Sequence, residues 1–203
     1  MKKKNYFNVI NPFNGEIVGE SQNNSKEAII SILNSVKNYK CELSGLQRFE
    51  ILQKSIQSIQ KNKKALSELI SSESGLCIKN SLYEVERAIN CIHYCAVQAK
   101  LIDNVDSTSD YLTENDLEKP KLRVFSEPLN LVIGITPFNH PLNMVMHKVG
   151  PAIAAGSPII IKPSEKTPLT AIKLRELMIE SGLPELMFNI VSGLPPKDIV
   201  DQL

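Results

Sequence analysis

The sequence lacks the features that mark a nucleic-acid-binding or membrane-spanning protein. Its 203 residues include 23 Lys and Arg against 22 Asp and Glu, so the formal net charge is only +1. Because a dedicated nucleic-acid binder needs a strongly basic surface, we expect no nucleic-acid partner. The longest apolar runs, at residues 129–135 and 158–161, are far shorter than the roughly 20 residues that cross a bilayer, so we expect no membrane span.

Cysteine is scarce as well, and the first residues do not have the pattern of a secretion signal. The four cysteines are too few and too scattered for a disulfide framework. The basic start, MKKKN, is followed by a polar segment over residues 8–20 instead of the apolar core of a signal peptide. With 42% hydrophobic residues, the chain has enough apolar material for a folded core. We therefore expect a globular protein in a reduced, cytoplasmic setting.

One short pattern, Cys91-x-His93-x-Cys95, suggests a metal site. On the helix predicted there, alternate residues point about 200° apart, so Cys91 and Cys95 share a face that His93 does not. No second group of ligands accompanies these residues in the sequence. We therefore expect no bound metal.

The first half of the chain has the pattern of a hairpin followed by four helices. Asn14-Gly15 separates two β-prone runs, and an Asn-Gly pair accepts positive φ at both central positions of a tight turn. Ser25 is predicted to cap the first helix, and Ser44 with Gln47 has the spacing of a capping box that begins the second. A glycine at position 75 is expected to end the third helix, and the fourth is predicted from residue 80 to about 102.

The second half alternates between apolar strands and helices. Strands are predicted at 129–135, 158–162 and 187–191, with helices at 141–155 and 167–181 between them. Apolar strands joined through helices imply a parallel sheet with right-handed crossovers, an α/β fold with helices on both faces. We thus divide the chain into a hairpin and helices (1–102), a polar linker (103–128) and a βαβαβ unit (129–203).

In an open parallel sheet, ligands bind in the crevice beyond the carboxyl ends of the strands. This rule selects the segments 136–140, 162–165 and 192–193. Asn139 has an amide that can donate a hydrogen bond to a ligand oxygen; from position alone, a helix N-cap is the favoured alternative. Lys162 and Glu165 suit a ribose hydroxyl or a phosphate, although a plain surface ion pair explains them equally well. Neither of the common glycine-rich phosphate loops is present.

Several segments together resemble the NAD(P)-dependent aldehyde dehydrogenase superfamily. They are ITPFNHP at 135–141, KVGPA at 148–152, IKPSEKTP at 161–168, NPFNGE at 11–16, SESG at 72–75 and GLP at 182–184. Their order and spacing match over nearly the whole chain. The resemblance implies an oxidoreductase with NAD or NADP as cofactor and a Rossmann-like sheet, of which this chain would form part.

The resemblance also implies roles for individual residues. Asn139 matches the residue whose amide stabilises the oxyanion formed when a thiolate attacks the aldehyde. The residues that match the lining of the cofactor cleft are Ile135, Thr136, Pro137 and Phe138. Lys162 and Glu165 match the residues that bind the adenosine ribose, and Lys162 with Ser164 would meet a 2′-phosphate. Lys148 matches a family lysine for which helix ion pairing is at least as good an explanation as proton relay.

Two further residues bear on the substrate. His140 occupies a position that is more often aromatic in the family, and the run 137–143 resembles the subgroup acting on small anionic aldehydes such as phosphonoacetaldehyde, lactaldehyde and glyceraldehyde-3-phosphate. A cationic or hydrogen-bonding His140 would contact the anionic group. Arg87 matches an arginine with the same task, whereas pairing with Glu84 or Tyr83 on the helix surface is the slightly preferred alternative.

The family's nucleophilic cysteine and general-base glutamate lie downstream of the segment that ends here at Leu203. We therefore predict that this polypeptide alone does not oxidise aldehydes. The alternative is a non-catalytic remnant or split subunit that binds nucleotide weakly or pairs with another chain. The last strand, at 187–191, is expected to leave an apolar edge unpaired, so we expect a homo-oligomer or a complementary chain that covers it.

Overall fold

The computed structural model describes residues 5–102 and 127–203. The predicted linker therefore lies outside the described residues, except for positions 127 and 128. In chain order, the elements are β1 (Tyr6–Ile10), β2 (Ile17–Gln22), α1 (Lys26–Lys37), α2 (Gly45–Lys61), α3 (Lys63–Ser74), α4 (Ile78–Ile102), β3 (Val132–Ile135), α5 (Asn143–Ala155), β4 (Ile159–Lys162), α6 (Leu169–Glu180), β5 (Phe188–Ile190) and α7 (Pro196–Val200).

The N-terminal hairpin is confirmed, but the prediction of a two-residue turn is wrong. β1 and β2 pair antiparallel, yet the connection is wider: Asn11 N–H donates to the carbonyl oxygen of Glu16 at 2.8 Å. Gly15 has a φ of +75°, whereas no non-glycine residue has a positive φ within the described residues. Asn14 instead bonds Glu16 through its side chain, which accepts from the Glu16 N–H at 3.0 Å. The connection is closed by backbone bonds, including that from the Gly15 N–H to the Asn11 carbonyl oxygen at 2.9 Å, and the Asn14 side-chain bond adds to them.

The predicted helix ends are confirmed where a local signal fixed them. Ser25 accepts from the N–H of Ala28 as the cap of α1, and Ser44 with Gln47 forms both bonds of the capping box that begins α2. α3 ends at Gly75, whose φ of +75° is the left-handed conformation that glycine adopts without strain. The strands of the parallel sheet begin later than predicted, at Val132, Ile159 and Phe188, where the first ladder pairs form.

The second half forms a three-stranded parallel sheet in the order β3-β4-β5. β4 is central and buried at all four residues, in keeping with its run of isoleucines. Ile161 lies in the large core formed with α2 to α6, whereas Ile160 packs with residues of α1 and α7 on the opposite face. The α/β fold with helices on both faces is therefore confirmed.

Of the two edge strands of the parallel sheet, it is β3 that carries exposed apolar side chains. β5 is also an edge strand, but Arg175 donates to the carbonyl oxygen of Phe188 at 2.6 Å. Past its end, the Ser192 carbonyl accepts from the N–H of Asn24. On β3, by contrast, Ile133 and Ile135 are 39% and 51% exposed. β5 is therefore an edge strand as expected, whereas the exposed apolar side chains are those of the other edge strand, β3.

No helix among residues 5–102 and 127–203 combines the length and the apolar character needed to cross a membrane. The longest, α4, has 25 residues, but glutamates, an arginine and lysines recur along it.

Candidate functional site

The loop after β3 and the loop after β4 lie side by side at the carboxyl edge of the sheet. The two strands pair in parallel, with Lys162 opposite Ile135. The pairing continues beyond the strand, where the Thr136 N–H donates to the carbonyl oxygen of Lys162 at 3.2 Å. Farther along, the Lys166 ammonium lies 4.7 Å from the centre of the Phe138 ring, a cation–π contact that joins the loops. Together the loops form one surface, called here the strand-end surface.

The β3 loop presents four exposed side chains on this surface, those of Ile135, Pro137, Phe138 and Asn139. Three of them are apolar and stand next to a single amide. A flat, partly apolar ligand with hydrogen-bonding edges would find both packing area and a polar contact there.

Lys162 is buried rather than solvent-exposed, which excludes the alternative of a plain surface ion pair. Its side chain is 6% exposed, and its Nζ lies 3.6 Å from Oε2 of Glu165, whose side chain is 29% exposed. A buried ammonium needs an acceptor, because burial without a partner is costly. Glu165 is that acceptor, and both side chains stand at the strand end. The neighbouring Ser164 Oγ accepts from the Lys166 N–H at 3.2 Å, which folds the loop back on itself.

Two buried hydroxyl groups near these strand ends have no hydrogen-bond partner among the described residues. They belong to Thr136, directly after β3, and Thr167, in the loop after β4. Buried hydroxyl groups in proteins are nearly always hydrogen-bonded, so orphaned ones indicate a place that a polar ligand or water completes. This observation fits the site to a nucleotide, which is rich in hydroxyl and phosphate oxygens.

Asn139 is not a helix cap, so the alternative favoured from its position is wrong. α5 begins at Asn143, four residues later, and Leu142 is at the N-cap position. The Asn139 side chain is exposed and makes no hydrogen bond within the described residues. Its amide is therefore available to a ligand at the strand-end surface.

A buried glutamate from α4 performs the capping that Asn139 does not. Oε1 of Glu84 accepts from the N–H groups of Leu142 and Asn143, at 2.8 and 3.0 Å. A carboxylate at a helix N-terminus satisfies unpaired donors and interacts favourably with the helix dipole. Glu84 thus fixes the point at which the β3 loop turns into α5.

The other oxygen of Glu84 fixes His140. Nδ1 of His140 lies 3.2 Å from Oε2 of Glu84. With Nδ1–H donating to this carboxylate, Nε2 carries a lone pair when the imidazole is neutral and an N–H when it is protonated.

Arg87 lies one turn farther along α4 and is exposed. Since Glu84 is engaged with α5 and His140, the predicted Glu84–Arg87 surface pair does not form.

A second buried glutamate caps the next helix of the sheet in the same way. The carboxylate of Glu73, from α3, accepts from the N–H groups of Leu169 and Thr170 at 2.9 Å each, at the start of α6. Burial raises the pKa of Glu73 from its ordinary value of 4.5 to about 7, although these hydrogen bonds act in the opposite direction. Helices α3 and α4 therefore supply the N-terminal caps of α6 and α5, respectively.

Lys148 contacts the sheet through its aliphatic chain. A Cβ on Gly134 would lie 3.0 Å from Cδ of Lys148 and 2.5 Å from Cδ1 of Ile161. A side chain at position 134 would therefore crowd Ile161 of the neighbouring strand and Lys148 of α5. The predicted ion pairing of Lys148 within its helix is not observed in the described residues.

The third predicted segment, residues 192–193 after β5, is covered by another part of the chain. The Ser192 N–H donates to the side chain of Asn24 at 2.9 Å, and its hydroxyl donates to the carbonyl oxygen of Gln22 at 2.6 Å. Gly193 lies so close to the chain that an added Cβ would be 2.6 Å from Oδ1 of Asn23. The end of the hairpin, at residues 22–24, therefore covers the carboxyl end of β5. The loops after β3 and β4 remain accessible at this edge of the sheet.

A cavity of about 430 Å³ opens beside the strand-end surface, between the hairpin and the two loops. It is lined by residues of both loops and of the hairpin, including Phe138, Glu165, Lys166, Phe7 and Pro12. Asn139 and Lys162 do not line it, so the cavity adjoins the predicted site without containing it.

The sequence analysis missed Glu73 and Glu84 as site-building residues, although a signal existed. Glu84 continues the buried stripe of Val85 and Ala88 on α4, and Glu73 follows Ile70 on the buried face of α3. A glutamate on an apolar helical stripe is buried, and a buried carboxylate requires donors. The stripe predicts the burial, but the identity of the donors depends on the tertiary fold.

Sequence comparison assigns the chain to a family. It matches the model of the aldehyde dehydrogenase family over residues 1–203. Aspartate-semialdehyde dehydrogenase 1 of Pseudomonas canavaninivorans is 34% identical over 191 residues, an alignment covering 93% of this chain and 40% of that protein. Lactaldehyde dehydrogenase of Methanococcus aeolicus is 35% identical over 196 residues, covering 91% and 40%. This chain thus spans about two fifths of the length of these curated relatives.

Solved structures agree with the sequence relatives. Succinate-semialdehyde dehydrogenase of Burkholderia pseudomallei superimposes with a TM-score of 0.86 at 28% identity, over 97% of this chain and 40% of that one. Glyceraldehyde-3-phosphate dehydrogenase of Methanocaldococcus jannaschii, complexed with NADP, gives a TM-score of 0.82 at 27% identity, over 98% and 43%. Sequence and structure together show that the chain belongs to the aldehyde dehydrogenase family.

Proposed function

We propose that this chain is the cofactor-binding part of an NAD(P)-dependent dehydrogenase that oxidises a small anionic aldehyde to its acid. The observation that carries the proposal is the adjacency of the β3 and β4 loops, which brings the exposed amide of Asn139 and the buried ammonium of Lys162 to one edge of the sheet. In parallel sheets this edge is the usual nucleotide-binding position.

The cofactor would rest on the strand-end surface. Lys162 and Glu165 would bind the hydroxyls of the adenosine ribose, with Ser164 and Lys162 nearest to a 2′-phosphate if the cofactor is NADP. Ile135, Thr136, Pro137 and Phe138 would line the cleft, and the orphaned Thr136 hydroxyl offers a polar contact. NAD or NADP supplies the acceptor for the aldehyde's hydride. Solved relatives include complexes with NAD+ and with NADP.

Asn139 would act on the aldehyde itself. Its amide would donate to the oxygen of the substrate as negative charge develops there, and loss of one such donor typically costs about 10²–10³ in rate. The Glu84 cap supports this role, because it fixes the turn between Asn139 and α5.

The substrate is proposed to be anionic on the strength of two side chains, those of His140 and Arg87. His140 contacts Glu84, and Arg87 is one turn along the same helix. His140 would attract an anion only when doubly protonated, since otherwise Nε2 presents a lone pair. Relatives named for semialdehydes of dicarboxylic acids and for 3-sulfolactaldehyde are consistent with such a substrate.

We further infer that the 203-residue chain does not turn over aldehydes alone. The reaction needs a thiol nucleophile and a base for the hydrolysis of the acyl-enzyme, and the chain spans only about two fifths of its relatives. A cytoplasmic location and association with a second chain remain part of this proposal.

The proposal is tested by supplying the remainder of the fold. The chain is fused to the C-terminal three fifths of the Methanococcus aeolicus lactaldehyde dehydrogenase, the part beyond the matched region. With NAD or NADP and phosphonoacetaldehyde, lactaldehyde or acetaldehyde, we expect NAD(P)H production from the fusion and none from the 203-residue chain.

Variants of the fusion separate the roles. Asn139→Ala should lower kcat by about 10²–10³, whereas Asn90→Ala, on the exposed face of α4, should leave it unchanged. Arg87→Ala should raise KM for phosphonoacetaldehyde more than for acetaldehyde. NAD(P)H production by the chain alone would contradict the inference of inactivity, and an active fusion that tolerates Asn139→Ala would contradict the oxyanion role. A folded fusion that binds nucleotide without turnover would favour the non-catalytic alternative.

A further inference from the structure

A cluster of two thiols and an imidazole lies between α4 and α5, apart from the strand-end surface. Sγ of Cys91 lies 3.7 Å from Nδ1 of His147. Cys95, one turn along α4, hydrogen-bonds the Cys91 thiol. Both cysteines are half-buried, and His147 is exposed, so the cluster opens towards solvent. The imidazole that meets Cys91 is thus not His93, its neighbour in sequence.

Close packing of the two helices creates this cluster. A Cβ on Gly150 would lie 2.9 Å from Sγ of Cys95, so the glycine lets α5 approach α4 at this point. His147 lies one turn before Gly150, as Cys91 lies one turn before Cys95. The contact between the helices therefore fixes the imidazole beside the Cys91 sulfur.

The two thiols differ in their readiness to ionise. The hydrogen bond from the Cys95 thiol lowers the pKa of Cys91, although burial acts against it. The same bond, together with burial, raises the pKa of Cys95. Cys95 is therefore the donor of this hydrogen bond and Cys91 the acceptor, while Nδ1 of His147 lies 3.7 Å from the Cys91 sulfur. Because a thiolate is the nucleophilic form of cysteine, this arrangement activates one of the two sulfurs.

We propose that Cys91 is a modification site that reacts with low-molecular-weight disulfides. The Cys91 thiolate attacks one sulfur of the disulfide RSSR, the S–S bond of the reagent breaks, and a Cys91–S–S–R bond forms. The other half leaves as RS⁻ and takes up the proton released from Cys91 through His147. Cys91 is oxidised to a mixed disulfide while the leaving sulfur is reduced to a thiol.

The mixed disulfide should persist instead of resolving to a Cys91–Cys95 bridge. Cβ atoms four residues apart on a helix are about 5–6 Å apart, whereas a disulfide requires about 3.5–4.5 Å. A bridge would thus require the middle of the 25-residue helix α4 to unwind. The expected product carries one added group and no internal disulfide.

Cys91 should react with a disulfide faster than an ordinary cysteine because a larger fraction of its thiol is ionised. An ordinary thiol is only a few per cent ionised near pH 7, and each unit by which the pKa falls raises the thiolate fraction about tenfold while lowering nucleophilicity about threefold. Because the pKa of Cys91 is lowered, we expect Cys91 to react severalfold faster than Cys77, the exposed cysteine that serves as an internal reference.

The test uses the intact chain, oxidised glutathione as the probe, and peptide mass spectrometry to follow each cysteine over time. In the wild-type chain Cys91 should be modified first. His147→Gln and Cys95→Ala should each slow Cys91 severalfold and leave Cys77 unchanged, and Cys91→Ser should abolish the fast adduct.

Equal or faster modification of Cys77 in the folded wild-type chain would overturn the proposal, as would an unchanged Cys91 rate in folded His147→Gln. A Cys91–Cys95 disulfide as the main product would contradict the predicted geometry. If a variant unfolds, all its cysteines react at one common rate, and the ratio of Cys91 to Cys77 in the wild-type chain then decides.

Discussion

Replacing Glu84 by alanine should destabilise the chain more than any change on the exposed face of the same helix. The substitution removes the acceptor of two N–H groups that belong to fully or almost fully buried residues, Leu142 and Asn143. Leaving a buried donor unpaired costs about 1–3 kcal/mol. The two donors together therefore give an expected loss of about 2–6 kcal/mol. A domain of ordinary stability has only about 5–15 kcal/mol in total.

The measurement is urea unfolding followed by circular dichroism, with Glu86→Ala as the matched control. Glu86 lies two residues away on α4 and forms an exposed ion pair with Lys63, and such pairs contribute less than about 1 kcal/mol. Glu84→Gln, which keeps an acceptor oxygen and loses only the charge, should fall between the two. Hydrogen exchange should accelerate at the amides of Leu142 and Asn143 in Glu84→Ala specifically.

A small effect would refute the reasoning. If Glu84→Ala unfolds within about 1 kcal/mol of Glu86→Ala, the carboxylate does not stabilise the start of α5. Unchanged protection of the two amides would lead to the same conclusion.

Two other variants test separate features of the fold. The pKa of Glu73 in the folded chain, about 7, exceeds its ordinary value of 4.5, so the folded state binds the proton more tightly than the unfolded state. The contribution of Glu73 to the free energy of unfolding is therefore complete below pH 4.5. It is lost as the pH rises through 7, by about 3 kcal/mol in total. Urea titrations between pH 4 and 8 should show this fall in the wild-type chain and a flatter profile in Glu73→Gln; parallel profiles would contradict it. Gly134→Ala should cost about 1–3 kcal/mol by crowding Ile161 and Lys148, and a neutral result in thermal melts would show that α5 can move away.

The elements that sequence predicts well are those fixed by local chemistry. Ser44 with Gln47 and the glycine at 75 set helix ends through contacts within a few residues, so their patterns are sufficient. The hairpin is predicted correctly, but its two-residue turn is not. Gly15 has a positive φ and Asn14 does not, and the side chain of Asn14 accepts from the N–H of Glu16.

The site was only partly predictable for a different reason. The adjacency of the β3 and β4 loops follows from the parallel topology alone, which the strand–helix alternation indicates. The caps supplied by Glu73 and Glu84 join residues 58 or more positions apart, and nothing local identifies such partners. From its position alone, Asn139 is predicted to cap α5. In the structure, a glutamate from a distant helix accepts from the N–H groups at the start of α5 instead.

The central claim is that the strand-end surface binds a dinucleotide as a single site. A ¹⁵N–¹H NMR titration of the 203-residue chain with NAD and NADP tests it directly, alongside Lys162→Ala and the control Lys197→Ala on the exposed side of α7. The account predicts weak, saturable shifts that cluster at residues 135–139 and 162–167, that survive Lys197→Ala and that disappear in Lys162→Ala. Shifts scattered over the surface, shifts confined to other elements, or an identical response from Lys162→Ala and Lys197→Ala would contradict it.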